Sequence, residues 1–226
     1  VLIDGAKITL ELTVLAQVMG VLLGIIAALC KTSKVLPLRI LAELYIWLFR
    51  GTPVLVQLLI WWAMLPQTPE FSVALIALGL NEGAYMSEIV RAGLEAVDKG
   101  QTEAAQSLGM RYRQIMSRIV LPQAMRVIIP PTGNEFISML KTTSLASVIS
   151  MDELLQRSQN IYECTGCDGA NAILPLLAVA ALYYLALSTV FTFIQGYIES
   201  QLGDRRAEEL GWFRAVIRKG RLLFIS

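Results

Sequence analysis

The stretch from Ile173 to Ile198 carries no charged side chain, and the next residue, Glu199, is the first to break it. A run of that length is long enough to cross the hydrocarbon core of a bilayer, which takes roughly 20 apolar residues per helix. It constrains the fold more than any other feature, because only helices or closed barrels satisfy backbone polar groups in lipid. Further apolar runs cover Ile8 to Leu29, Pro37 to Leu65, Phe71 to Leu94 and Pro131 to Ile149. The expectation is an all-α polytopic membrane protein with about five spans. All of residues 1–226 then form one transmembrane domain.

Composition agrees with that class. Hydrophobic residues make up 55% of the 226-residue chain, only 16% are charged, and the net charge is +1. Soluble domains carry about a quarter charged residues. A near-neutral chain also lacks the basic field expected of a nucleic-acid binder. Histidine is absent, which removes the commonest metal ligand and general base. We assign no catalytic residues and no metal site. No G-x-x-x-x-G-K-[ST] phosphate loop occurs, so the chain does not bind ATP by that device.

The second run is too long for one straight crossing and is interrupted at Gly51, Thr52 and Pro53. A second interruption is expected at Pro130 and Pro131, since proline removes a backbone donor and kinks or breaks helices. Irregular backbone in lipid survives where protein or water satisfies it, and such breaks often line substrate paths. Gly20 and Gly24 form a G-x-x-x-G pair that lets two helices approach closely, although glycine is also simply common in membrane helices.

Basic residues set the orientation. Lys31, Lys34 and Arg39, the cluster from Arg91 to Arg126, and the tail from Arg205 onward all fall on one side; Lys7 and Arg157 fall on the other. The positive-inside rule places the first side in the cytoplasm and the N-terminus outside. The tail over 203–226 reads as an amphipathic segment on the inner leaflet. Cys164 and Cys167 fall in an external loop over about 150–172, where a disulfide is permitted, free thiols are an alternative and a redox role is a third.

Between the third and fourth runs lies a polar segment, about 98–126, containing Glu103-Ala104-Ala105, then Gly109, Arg111 and Ile119-Val120-Leu121-Pro122. Its E-A-A, x3, G, x9, I-x-L-P spacing resembles the EAA loop of bacterial ABC importer permeases. Arg50-Gly51-Thr52-Pro53 with Val56-Gln57-Leu58, the segment from Gly83-Ala84-Tyr85 to Arg91, Pro130-Pro131 to Asn134, and Lys141-Thr142-Thr143-Ser144-Leu145 are similar to further signatures of the polar amino-acid group of type I importers. The resemblance implies a multi-pass permease of the bacterial inner membrane that imports amino acids. It implies a second permease subunit, the same or homologous, and two ATPase subunits that hold ATP and magnesium. It also implies an external amino-acid-binding protein or a fused binding domain. Glu103, Ala104, Ala105, Gly109, Arg111, Leu121 and Pro122 would then form the ATPase-coupling element. A permease for another solute such as methionine, or an ion-driven secondary transporter, is the alternative.

Polar residues inside spans are expensive and mark functional paths or interhelical pairs. Asn81, Glu82, Asn134, Glu135, Lys141 and Thr142 are the candidates for a substrate path. The resembling family usually has aspartate where this chain has Thr142. That departure points to the facing permease subunit as a holder of substrate.

Overall fold

A computed structural model describes the backbone of residues 1–164 and 170–223, and the side chains of 1–161 and 174–202. Among the described residues nine α-helices follow in order: α1 (Leu2–Lys31), α2 (Leu36–Gly51), α3 (Val54–Met64), α4 (Glu70–Glu95), α5 (Lys99–Ser107), α6 (Tyr112–Ile115), α7 (Leu121–Thr142), α8 (Leu154–Cys164) and α9 (Ala170–Leu223). A π-helical turn, Met116–Val120, joins α6 to α7, and a 3-10 segment, Thr143–Ile149, follows α7. No strand occurs among the described residues.

The pair α1 and α4 forms the spine. Leu12 and Ala16 of α1 pack on Val73, Ala74, Ala77 and Leu78 of α4, with Met139 of α7 and Ile149 closing the cluster. The approach is set by the two glycines of the first span. A methyl group on Gly20 would collide with the Glu82 side chain, and one on Gly24 would meet Met86 and the Ser87 backbone. The G-x-x-x-G pair is therefore a packing groove for α4. At one end of this spine Lys31 reaches Glu88 at 2.6 Å, and Glu88 in turn accepts from Arg91 at 2.7 Å.

The outer surface is apolar. Leu41, Leu44 and Trp47 of α2, and Leu182, Leu185 and Phe193 of α9, are exposed. A surface of that kind suits lipid or a partner helix rather than water. Among the described residues α1, α4 and Leu174–Leu202 are long and apolar enough to cross a membrane, and α2 with α3 forms a broken span bent by 107°. The break falls at Thr52 and Pro53, as the sequence predicts.

Two expectations need correction. The fourth span does not begin at Pro131: helix α7 starts at Leu121 and ends at Thr142, with the 3-10 segment completing the stretch. It packs on α4 and α9, and its polar residues Asn134, Ser138 and Lys141 are exposed. The backbone also stays helical through Pro130 and Pro131, so these prolines are not an interruption. Thr132 donates to the Ile128 carbonyl at 2.8 Å, and the Gln195 side chain of α9 donates to the Pro130 carbonyl at 3.2 Å. These side-chain bonds brace the helix on either side of the two prolines. The Cys164–Cys167 pairing lies outside the described residues, as do the side chains of the 203–226 tail.

Candidate functional site

Two regions concentrate polar chemistry: an elbow between α4 and α7, and clefts beside α7.

In the elbow, Asp98 caps α5 by accepting from the Gly100 amide at 2.7 Å. Helix α5 ends at Ser107, and the chain turns at Gly109 with φ +75°. That left-handed conformation favours glycine. Gln114 then starts α6 by accepting from the Arg111 amide at 2.9 Å. Ala105, Ile115 and Val120 form a small core of their own, joined by Val97, Met110 and Ile119. Pro122 explains the π-helical turn before it: with no N–H of its own, it cannot close the usual bond, and the Leu121 amide instead bonds Met116. The elbow is held to α7 by Gln123, whose amide donates to Gln101 and to the Ile119 carbonyl. Glu103, Ala104 and Arg111 face solvent. So do Leu108 and Tyr112 on either side of the turn, at 83% and 71% exposure. Two large apolar side chains at the tip of a charged elbow were not singled out in the sequence.

The six polar residues of the expected path do not converge on one point. Asn81 is bound to the broken span: its amide donates to the Phe49 carbonyl at 2.9 Å and to Gln57 Oε1 at 3.1 Å. Glu82 is 3% exposed and accepts from Gln17 Nε2 at 3.0 Å, inside the α1–α4 contact. Thr142 donates to Ser138 of its own helix at 3.0 Å. Asn134 and Lys141 line an open cleft of about 430 Å³ against Thr192, Gln195 and Glu199 of α9. Asn134 there accepts from Gln195 at 3.0 Å.

Glu135, next in sequence to Asn134, faces another cleft. That space of about 360 Å³ is lined by Arg50, Tyr85, Glu88, Ile89, Pro131 and Glu135, among others, and brings together α2, α4 and α7. The Arg50 guanidinium lies 5.3 Å from the centre of the Tyr85 ring, a cation–π arrangement. Among the described residues, neither Arg50 nor Glu135 forms an ion pair, although both line the same cleft. Arginine is always charged, so the cleft offers a cation and a carboxylate on one apolar wall.

At the far end of α1 from Lys31, a third cluster was not legible in the sequence. Glu153 is fully buried and accepts from Tyr184 at 2.6 Å, from the Gln156 amide at 2.8 Å and from Thr9 at 3.5 Å. One carboxylate thereby ties α8 to α1 and α9. Burial pushes it above the ordinary glutamate value, against the opposing pull of the Tyr184 and backbone donors.

Residues 20–204 match the model of the family described as "binding-protein-dependent transport system inner membrane component". An arginine transport system permease protein of Corynebacterium glutamicum is 44% identical over 84% of this chain, and this chain spans 65% of that relative's length. An L-cystine transport system permease protein of Bacillus subtilis is 41% identical over 89% of this chain and 86% of its own length. An arginine transport system permease protein of the same organism is 39% identical over 89% and 92%. Among solved structures, an amino acid ABC transporter with histidines matches with a TM-score of 0.81 and 39% identity, over 88% of this chain and 93% of that one. The MetNI methionine ABC transporter matches with a TM-score of 0.68 at 17% identity, over 89% and 95%, a likeness of fold alone.

Proposed function

This chain belongs to the family of binding-protein-dependent transport system inner membrane components, the multi-pass permeases of ABC importers, and we propose that it is the permease subunit of an ATP-driven amino-acid importer. The observation that carries the substrate class is the Arg50–Glu135 cleft. Each charge lacks an ion partner among the described residues, and both line one space of about 360 Å³. A charged group in a span is expensive without a partner. An amino acid supplies both missing partners: its carboxylate for Arg50 and its ammonium for Glu135. Tyr85 adds an apolar wall. The names of the relatives, for arginine and cystine, agree with a substrate carrying both charges.

The partner assignment rests on the elbow. Its left-handed turn at Gly109 and its exposed Leu108 and Tyr112 suit insertion into a cleft of an ATPase subunit, with Glu103 and Arg111 at the rim. ATP and magnesium belong to that partner. A second permease subunit completes the path, and an external binding protein or fused binding domain delivers the substrate. The charge bias puts the elbow in the cytoplasm and α8 outside. In support, α8 packs on the Thr9 end of α1, whereas Lys31 at the other end pairs with α4 just before the elbow. Purification from the native membrane, with identification of every bound protein, tests the assembly. An ATPase and a second permease are expected; a chain that purifies alone, with no ATPase, contradicts it.

A further inference from the structure

A helix end leaves carbonyls without amide partners, and inside a bilayer they need substitutes. Helix α2 ends at Gly51, Thr52 is extended at φ −120° and ψ 146°, and Pro53 carries no N–H. The substitutes come from two side chains. Gln57 Nε2 shares its two N–H groups among the Phe49 carbonyl at 2.9 Å, the Thr52 carbonyl at 3.1 Å and Thr52 Oγ1 at 2.8 Å. Asn81 Nδ2 donates to the same Phe49 carbonyl at 2.9 Å and to Gln57 Oε1 at 3.1 Å. The Thr52 hydroxyl closes the set by donating to the Leu48 carbonyl at 2.8 Å.

Arg50 lies inside this knot, between Phe49 and Gly51. Its main chain is clamped on both sides, and its guanidinium rests 5.3 Å from the Tyr85 ring centre. Asn81 and Tyr85 are four residues apart on α4 and so share one face of that helix. A single face of α4 therefore fixes both the backbone before Arg50 and the plane under its side chain.

We propose that Asn81 and Gln57 are positioning residues: they hold the broken span so that Arg50 presents its guanidinium to the cleft, and they act on substrate selection through Arg50 rather than by contact. This rests on the reading of Arg50 as the partner of the substrate carboxylate. Replacing either amide removes one of the two donors on the Phe49 carbonyl and breaks the Asn81–Gln57 bond, which lets the α2 terminus turn, moves the cation and leaves the rest of the spine in place.

The test uses the complete complex, purified from the membrane and reconstituted in liposomes. The probes are L-arginine and L-glutamine, each against its α-carboxamide, which keeps the ammonium and lacks the carboxylate. Wild type is expected to prefer the acid by about tenfold or more, the scale of one charge-assisted contact. Arg50→Gln is expected to abolish the preference. Asn81→Ala and Gln57→Met are each expected to lose most of it through a raised KM, and neither is expected to worsen Arg50→Gln when combined with it. That non-additivity is the signature of action through one residue. If wild type shows no dependence on the carboxylate, or if Arg50→Gln keeps it, the Arg50 reading and the positioning role both fall. If Arg50→Gln loses the preference while both amide variants keep it, or if the effects add, the positioning role alone falls. Disappearance of both amide variants from the membrane marks them as folding residues and also overturns it.

Discussion

Gly20 of α1 lies directly against the side chain of Glu82 of α4, with no room for a Cβ between them. The contact is a glycine on one span meeting a buried carboxylate on another. It explains how Glu82 sits at 3% exposure: the glycine lets Gln17, one turn earlier, reach its carboxylate at 3.0 Å.

Widening that contact must push the spine apart. Gly20→Leu is expected to destabilise the protein by about 1–3 kcal/mol or more, the usual cost of overpacking. It would be read as a fall in melting temperature of the detergent-solubilised complex and in the amount recovered. Gly51 is the control, since nothing lies within 4 Å of a Cβ placed there. Gly51→Ala should melt like wild type. Equal behaviour of the two variants would refute the packing role.

At Gly109 the constraint is conformational instead of steric. Nothing lies within 4 Å of an added Cβ, but φ is +75°. Gly109→Val should therefore cost roughly 1–2 kcal/mol in backbone strain at the turn and reshape the tip that carries Leu108 and Tyr112. Transport and substrate-stimulated ATP hydrolysis should both fall while the protein stays in the membrane. Gly109→Asn should keep most of both, because asparagine tolerates this region. Wild-type uptake in the valine variant would remove the elbow from the coupling account.

Glu153 makes stability depend on pH with a definite sign. Burial raises its carboxyl above the ordinary glutamate value, so the folded protein keeps this proton to higher pH than the unfolded chain does. Its contribution is fullest below the unfolded value of about 4.3 and declines as pH rises through the folded value. Glu153→Gln should flatten that part of the profile of melting temperature against pH. Glu153→Ala should lower the melting temperature at every pH, since the donors from Tyr184 and Gln156 lose their acceptor. An unchanged profile in the glutamine variant would show that the carboxyl does not titrate with unfolding.

Much of the molecule was legible because its signals are local. Uncharged runs mark spans, Gly20 and Gly24 mark a close contact, and proline with glycine marks the break at residues 51–53. The turn at Gly109 follows from spacing. What stayed hidden depends on partners far apart in sequence. Pro130 and Pro131 read as a break, yet the helix runs through both and packs there on Gln195 of another helix. Asn81 read as a path residue because a polar side chain in a span marks either a path or an interhelical pair. Its bond to Phe49, 32 positions away, selects the second. Asn134 and Glu135 are neighbours in sequence, but successive helical positions point about 100° apart, which sends them to different clefts. Glu153 carries no sequence signal, since its meaning comes from Thr9 and Tyr184. The start of α7 is not marked by apolarity, because its first turns carry Gln123 and Arg126 among apolar residues.

Uptake into liposomes containing the whole complex shows whether this permease moves a substrate held by both of its charges. The measurement compares ATP-driven accumulation of L-arginine with that of agmatine, the same side chain without the carboxylate, in wild type, Arg50→Gln and Glu135→Gln. Expected are ATP-dependent uptake of arginine well above agmatine in wild type, loss of that preference in Arg50→Gln, and weakened uptake of both in Glu135→Gln. Uptake without ATP, or agmatine carried as well as arginine by wild type, would contradict the proposed function.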